Sequence, residues 1–302
     1  MQINKQNLNA LFTGYNTLFM EAYHGTPEGI LSSLAFETSS SYAEEIYHWL
    51  GAFPGMQELI DEIRIENIAA HNYTVRNREF ESTIGVKEAD IERDSYGIYN
   101  PRFQIMGTVA RQHDGEQLAE LLANGFTRPC YTGKNFFDTD HEPRAGGTKF
   151  TNVLTKKLSQ ANFRKQRALL KQRKNAAGRV MGLGRDLVLL TTPSNEDLAR
   201  EILLAERSAN GQTNVDRGTA RIEISAEIGA INEDFWAIVD AGQPIKPLIK
   251  QREKDIALLA LDDPEDDHVF KKHEFLYQAY KRMGYGYGLP EVITASDGST
   301  SA

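Results

Sequence analysis

Ile63-Arg-Ile-Glu66, Tyr73-Thr-Val75 and Arg76-Asn-Arg-Glu-Phe-Glu-Ser-Thr-Ile-Gly-Val86 set a charged, strand-like arm directly before a helical run, Pro101 to Asn124. The loop Cys130-Tyr-Thr-Gly-Lys-Asn-Phe-Phe-Asp-Thr-Asp-His141 follows. Ile63 and Ile65 alternate with Arg64 and Glu66, and Phe80, Ser82, Ile84 and Val86 share one side, which is the period of two of extended strands. Arg76-Asn-Arg-Glu79 stands where the two runs would reverse, and Asn77 tolerates the backbone of a tight turn. The reading is a hairpin with a charged tip. A strand pair so polar on both faces cannot be the core of its own domain and needs another surface to lie on, which points to assembly rather than catalysis. An ordinary edge hairpin with a solvated face is the simpler alternative.

The helical run is well punctuated. Asn100 is the expected N-cap, Pro101 fits the first helical position, and Gly125 marks the stop. Phe103, Met106 and Ala110 form one apolar stripe, and Leu118, Leu121 and Leu122 form another. Gly107 and Gly115 each cost about 1 kcal/mol relative to alanine, so a bend or break is expected near Asp114-Gly115. Near the start of the chain, Leu8, Leu11, Phe12, Tyr15, Leu18 and Phe19 recur at helical spacing behind Asn7, the expected cap. That stripe needs a partner surface in its own core, a neighbouring copy or another protein. Thr38-Ser-Ser-Ser41 marks a turn, with a helix carrying Tyr42, Ile46 and Trp49 expected after it.

The second half alternates strand and helix. Leu187-Val-Leu-Leu190 is a buried-strand run, Leu198, Ile202 and Leu203 stripe a helix, Ala220 to Ser225 alternates, and Phe235 to Val239 ends at the Asp240-Ala-Gly242 turn. The class is α+β. The Ser/Thr/Gly-rich tail beyond Pro290 is expected to be disordered.

Trp49-Leu-Gly-Ala-Phe-Pro-Gly-Met56, Asn77 to Val86, Asp90-Ile-Glu-Arg-Asp-Ser-Tyr-Gly-Ile-Tyr99 and Cys130 to Asp138 together resemble the major head subunit family of Mu-like phages and prophages. The resemblance continues through Asn175-Ala-Ala-Gly-Arg179, Leu187 to Pro193 and Gly284-Tyr-Gly-Tyr-Gly288, and so covers nearly the whole chain. It implies the tailed-phage major capsid fold of the Hong Kong 97 type. By that resemblance residues 1–56 form an N-terminal arm, 57–98 an extended loop, and 99–179 a peripheral domain with a spine helix. Residues 180–260 form an axial domain, and 261–302 a return to the peripheral domain with a flexible tail. It further implies assembly through hexamers and pentamers into an icosahedral shell around double-stranded DNA. Scaffolding protein, portal and head maturation protease are the implied partners, with folding in the host bacterial cytoplasm. Arg76, Arg78, Glu79 and Glu81 are the implied contacts of the extended loop with a neighbour.

Composition agrees without deciding: 302 residues at 40% hydrophobic and 25% charged suit an ordinary globular protein. Cys130 is the only cysteine, so no intrachain disulfide can form. No run reaches the roughly eighteen apolar residues of a membrane helix. The net charge is -8, yet Lys149 to Arg185 holds eleven basic residues and no acidic one, leaving about -19 on the remainder. Arg164, Lys165, Lys171 and Lys174 are candidates for a nucleic-acid surface or for contacts with acidic faces of protein. Little aromatic interleaving and an acidic whole favour the protein contacts.

A catalytic alternative is a metal-dependent phosphoesterase built on Asp138, Asp140 and His141, with His268 and His273 completing a site. No motif fixes that spacing, and Asp-Thr-Asp-His also suits a solvated turn. Gly182-Leu-Gly184 lacks the third glycine of a dinucleotide loop, and Ser194 lacks the glycines of a nucleophile elbow. The sequence reading is a structural protein with no cofactor.

Overall fold

The computed structural model describes residues 2–48, 50, 73–93, 95–142, 148–175, 178–207 and 211–301. Helix α1 (Lys5–Gly25) and the short α2 (Ile30–Ser33) lead into strands β1 (Ala35–Ser39), β2 (Glu44–Ile46), β3 (Thr74–Arg76) and β4 (Arg78–Lys87). The short α3 (Glu88–Glu92) precedes the long helix α4 (Asn100–Ala123). Then come β5 (Val153–Lys156), α5 (Gln160–Lys171), β6 (Leu187–Thr191), α6 (Glu196–Leu203), β7 (Arg221–Ile224), α7 (Ala226–Ile231) and β8 (Trp236–Asp240). The chain closes with β9 (Leu248–Leu261), α8 (Asp267–Lys272), β10 (Glu274–Tyr287) and β11 (Ile293–Thr300). The α+β class is thus observed.

Two sheets organise these elements. A four-stranded sheet has the order β1-β9-β10-β4, with β1 parallel to β9 and the other pairs antiparallel. A five-stranded sheet has the order β5-β11-β8-β6-β7. Helix α4 serves both. Phe103 and Met106 join Leu8, Leu11, Tyr15 and Phe19 of α1 and Phe275 and Tyr277 of β10 in one core. Leu118, Ala119, Leu121 and Leu122 join Val188, Leu190, Ala237 and Val239 of the five-stranded sheet in another. The two apolar stripes of this helix therefore belong to two different cores. Phe163, Leu170, Ala199, Ile202 and Leu203 cover the opposite face of the five-stranded sheet. Among the described residues no helix is long and apolar enough to cross a membrane.

Several expectations are corrected. The helix does not break at Asp114-Gly115 but runs unbroken to Ala123, because Asp114 is buried there and held by Lys281 and Lys250. Asn4, not Asn7, caps α1; its side chain accepts from the Asn7 backbone N–H at 2.9 Å. The first 25 residues do not reach away as an arm: α1 lies along α4, with Tyr15 stacked on Phe103 at 4.0 Å between ring centroids. No helix carries Tyr42 and Ile46; strand β2 occupies that place, and Trp49 lies outside the described residues.

The charged reversal at Arg76–Glu79 is absent. β3 pairs with β2 (Glu44↔Arg76, Ile46↔Thr74) while β4 pairs with β10, so the chain runs through Asn77 without turning back. Asn77 uses its amide elsewhere: Nδ2 donates to Ser40 Oγ and the Tyr42 carbonyl at 3.0 and 2.7 Å, and Oδ1 accepts from Gln251 at 2.9 Å. The reversal falls instead between Ile46 and Thr74, and the outgoing run read at Ile63 and Ile65 lies outside the described residues.

The flexible tail is also overturned. β11 is an interior strand between β8 and β5, with Ile293, Thr294, Ala295 and Ser296 buried. Its hydroxyls have partners inside the chain: Thr294 donates to Gln166, and Ser296 donates to the Lys156 carbonyl at 2.6 Å. Polar composition mimics disorder where side-chain hydroxyls are satisfied by distant groups.

Candidate assembly surfaces

The alternation of β4 sorts the four candidate contact residues. Phe80, Ile84 and Val86 point toward α4 and α1, and Arg78 shares that parity, donating to Gln117 of α4 at 3.1 Å. Glu79 and Glu81 point to the other face. Glu81 accepts from Thr83 at 2.7 Å and from Gln278 at 3.3 Å, and Glu79 accepts from Tyr280. Arg76 pairs across the β2–β3 ladder with Glu44 at 3.1 Å, both side chains largely exposed. The structure thus does not gather the four at one tip. Leu259 and Leu261 of β9 are exposed further along the Glu79/Glu81 face, whose rows are set by the pairs Leu276↔Leu261 and Gln278↔Leu259. On α4, Ile105 and Val109, with Ile98 just before the helix, are exposed on the side away from the core.

The basic stretch divides into cations paired within the chain and cations left exposed. Arg164 and Arg167 both turn onto the fully buried Asp216 carboxylate, at 2.5 and 3.1 Å, so Arg164 is drawn away from any external phosphate. Lys157 pairs with Asp234 at 2.8 Å. Arg173 is a core staple. Its guanidinium donates to the carbonyls of Thr151, Pro290, Glu291 and Ile293 at 2.8–3.2 Å and lies over the Phe150 ring. Lys165, Lys171 and Lys174 are exposed and make no ion pair among the described residues. The stem of Lys171 covers Gly184, where an added Cβ would meet its Cε at 2.7 Å.

Asp138, Asp140 and His141 do not converge on a metal. His141 is fully buried and both ring nitrogens are engaged: Nδ1 accepts from the Thr132 hydroxyl at 3.0 Å, and Nε2–H faces the Asn152 Oδ1 and Phe136 carbonyl at 3.1 and 3.2 Å. Burial pushes the ring down to about 4, so it is neutral. Asp138 caps its own loop by accepting from the Asp140 N–H at 3.1 Å, and Asp140 pairs with Lys149 at 3.2 Å. His273 bonds Glu88 at 2.9 Å in another part of the chain. This geometry gives the phosphoesterase alternative no support.

Two buried polar groups escaped the sequence reading. Glu291 is fully buried and accepts from the Tyr131 hydroxyl; burial raises its carboxyl, and neighbouring Arg173 opposes that rise. Asp114 binds Lys250, Lys281 and Tyr285 at the midpoint of α4. A signal was available for the second: Lys281 occupies the inward parity of Phe275, Tyr277, Ala279 and Met283, where a lysine requires a buried carboxylate.

The model of the family described as Mu-like prophage major head subunit gpT matches residues 8–155, 150–228 and 221–301. The chain is 28% identical over 300 residues to the major capsid protein of Escherichia phage Mu, covering 99% of this chain and 76% of that protein. It is 25% identical over 295 residues to the Mu-like prophage FluMu major head subunit of Haemophilus influenzae, covering 98% and 74% respectively. Among solved structures, a chain from the procapsid of bacteriophage JBD30 superposes with a TM-score of 0.62 at 26% identity, over 97% of this chain and 76% of that one. Its fold is accordingly the tailed-phage capsid fold of the Hong Kong 97 type. With matches along nearly its whole length, the chain belongs to the Mu-like prophage major head subunit gpT family, the major capsid proteins of Mu-like phage heads.

Proposed function

We propose that this capsid protein closes into an icosahedral shell through hexamers and pentamers of itself, with double-stranded DNA inside and no chemistry of its own. The observation that carries the reading is the pair of uncovered faces on one layer. Leu259 and Leu261 stand exposed beside Glu79 and Glu81 on the sheet, and Ile98, Ile105 and Val109 on the helix side. Apolar side chains grouped on uncovered faces are supported by contact with neighbours. In this reading the four-stranded sheet with α1 and α4 is the peripheral domain, and the five-stranded sheet, including β5 and β11, is the axial one. Of residues 57–98 assigned to the extended loop, 57–72 remain so, the part before strand β3, which lies outside the described residues. Scaffolding protein, portal and a head maturation protease are its assembly partners, and the subunit folds in the host bacterial cytoplasm.

The contact assignment narrows to Glu79 and Glu81. Glu79→Lys with Glu81→Lys is expected to leave subunit melting nearly unchanged, since exposed pairs are worth about 0–1 kcal/mol, while cutting shell yield several-fold. Arg78→Ala, which acts on the α4 contact, is the contrasting variant. Melting curves beside negative-stain microscopy decide. A subunit that unfolds while its folded fraction assembles normally would return both glutamates to the subunit's own sheet.

Protein contacts are favoured for the basic stretch as a whole, but Lys165, Lys171 and Lys174 are exposed and make no ion pair among the described residues, which supports the DNA side for these three. Replacing all three with glutamine is expected to leave empty shells intact and to make DNA release occur at lower salt, as each lost phosphate contact lowers the salt-dependent part of binding. Failure of shell assembly in the triple variant would assign them to subunit contacts instead.

A further inference from the structure

Lys250 is a buried ammonium ringed by carboxylates. Only 4% of its side chain is exposed, and its Nζ lies 3.0 Å from Asp114, 2.8 Å from Glu37 and 3.6 Å from Glu28. The other oxygen of Asp114 takes Lys281 at 2.6 Å and the Tyr285 hydroxyl at 2.7 Å. Glu28 is shared with Arg111 at 3.0 Å, whose guanidinium lies over the Tyr23 ring. Burial pushes Asp114 up, but the Lys281 and Lys250 ammoniums outweigh it and hold the carboxyl at about 2. Burial likewise pushes Lys250 down, and Asp114 and Glu37 outweigh it.

The cluster is asymmetric. Arg111, Asp114, Lys250, Lys281 and Tyr285 belong to α4, β9 and β10, the body of the four-stranded layer. That body supplies three cations and a single carboxylate. The two balancing carboxylates, Glu28 and Glu37, come from the segment that leads through β1 into β2, and they are 40% and 51% exposed. Among the described residues strand β1 is a sheet edge, bonded only to β9. On release, Glu28 and Glu37 return to water at little cost while Lys250 keeps Asp114. The other polar ties on this segment are an exposed ion pair, Glu44 with Arg76 at 3.1 Å, and neutral hydrogen bonds, Asn77 to Ser40 and Tyr42 and Tyr47 to Gln251 at 2.7 Å, while Leu31 and Leu34 seat its start in the core.

We propose that Glu28 and Glu37 form an electrostatic latch on Lys250 and Arg111, which fixes the β1–β2 segment against α4 and β9 and opens without unfolding the rest of the subunit.

Hydrogen–deuterium exchange on the full-length chain, followed by mass spectrometry, tests the latch independently of assembly. Glu28→Gln with Glu37→Gln is expected to speed exchange of the 35–46 amides roughly ten-fold, with 100–123 and 275–287 unchanged, as for a local opening. The unsubstituted protein at ~1 M salt, where screening acts within about 3 Å, should show the same selective change and serves if the variant folds poorly. Unaltered exchange over 35–46 would overturn the latch. So would equal acceleration of α4 and β10, which would make the two glutamates ordinary contributors to global stability.

Discussion

Gly107→Ala is expected to destabilise the subunit by about 2 kcal/mol or more, although alanine is the better helix former by about 1 kcal/mol. A Cβ at Gly107 would lie 2.3 Å from the Phe19 carbonyl oxygen and 3.0 Å from the Tyr23 nitrogen, both backbone atoms of α1. Backbone cannot swing aside as a flexible side chain can, so α1 must lift off α4 and loosen the packing of Tyr15, Phe19 and Phe103. Gly115→Ala, one turn beyond Arg111 in the same helix, meets nothing within 4 Å and is expected to gain about 1 kcal/mol. Opposite signs from two glycine-to-alanine changes in one helix are the result to look for, in urea unfolding of both variants beside the parent. A Gly107→Ala protein as stable as the parent would mean that α1 is not seated on α4 in solution.

That sign reversal marks where the sequence stops being legible. Propensity treats Gly107 and Gly115 alike, because the α1 backbone that separates them is more than 80 positions away. Local periodicity identified the buried strand at Leu187–Leu190, the alternation before Ser225 and both stripes of α4, since each is written within one element. Pairing partners are not written there. The alternation of Phe80, Ser82, Ile84 and Val86 suits a hairpin with its own neighbour as well as the observed ladder with Glu274–Met283. The same blindness misjudged β11, whose serine and threonine hydroxyls are satisfied by Lys156 and Gln166. Within the candidate surfaces, charge counting found the basic stretch but could not divide it. The division depends on Asp216, which takes Arg164 and Arg167 and leaves Lys165, Lys171 and Lys174 outside. The family resemblance, by contrast, depends on short exact motifs spread along the chain, and those survive ignorance of pairing.

Acid should weaken the subunit through His141 before its carboxylates are neutralised. The folded chain keeps this ring neutral, with burial pushing it from 6.5 to about 4, while the unfolded chain takes up a proton below its ordinary value. Between those two values the unfolded state binds more protons, so stability is complete above about pH 6.5 and falls as pH drops toward 4. At about 1.4 kcal/mol per pH unit, the loss reaches roughly 3 kcal/mol by the lower end. The physical obstacle is specific. A second ring proton would turn Nδ1 from acceptor to donor and force the Thr132 hydroxyl to reorient, with a charge sealed among Phe136, Phe150 and Asn152. His141→Asn is expected to lose about 1–3 kcal/mol at neutral pH from the smaller side chain and imperfect bonding. It should then lose markedly less than the parent between pH 7 and 4.5. Urea midpoints for both proteins at the two pH values measure the difference directly. His113, also pushed to about 4 by burial with Lys281 and Arg78 nearby, remains in both proteins and supplies the residual slope. Equal slopes in parent and variant would place the acid sensitivity outside the Thr132–His141–Asn152 chain.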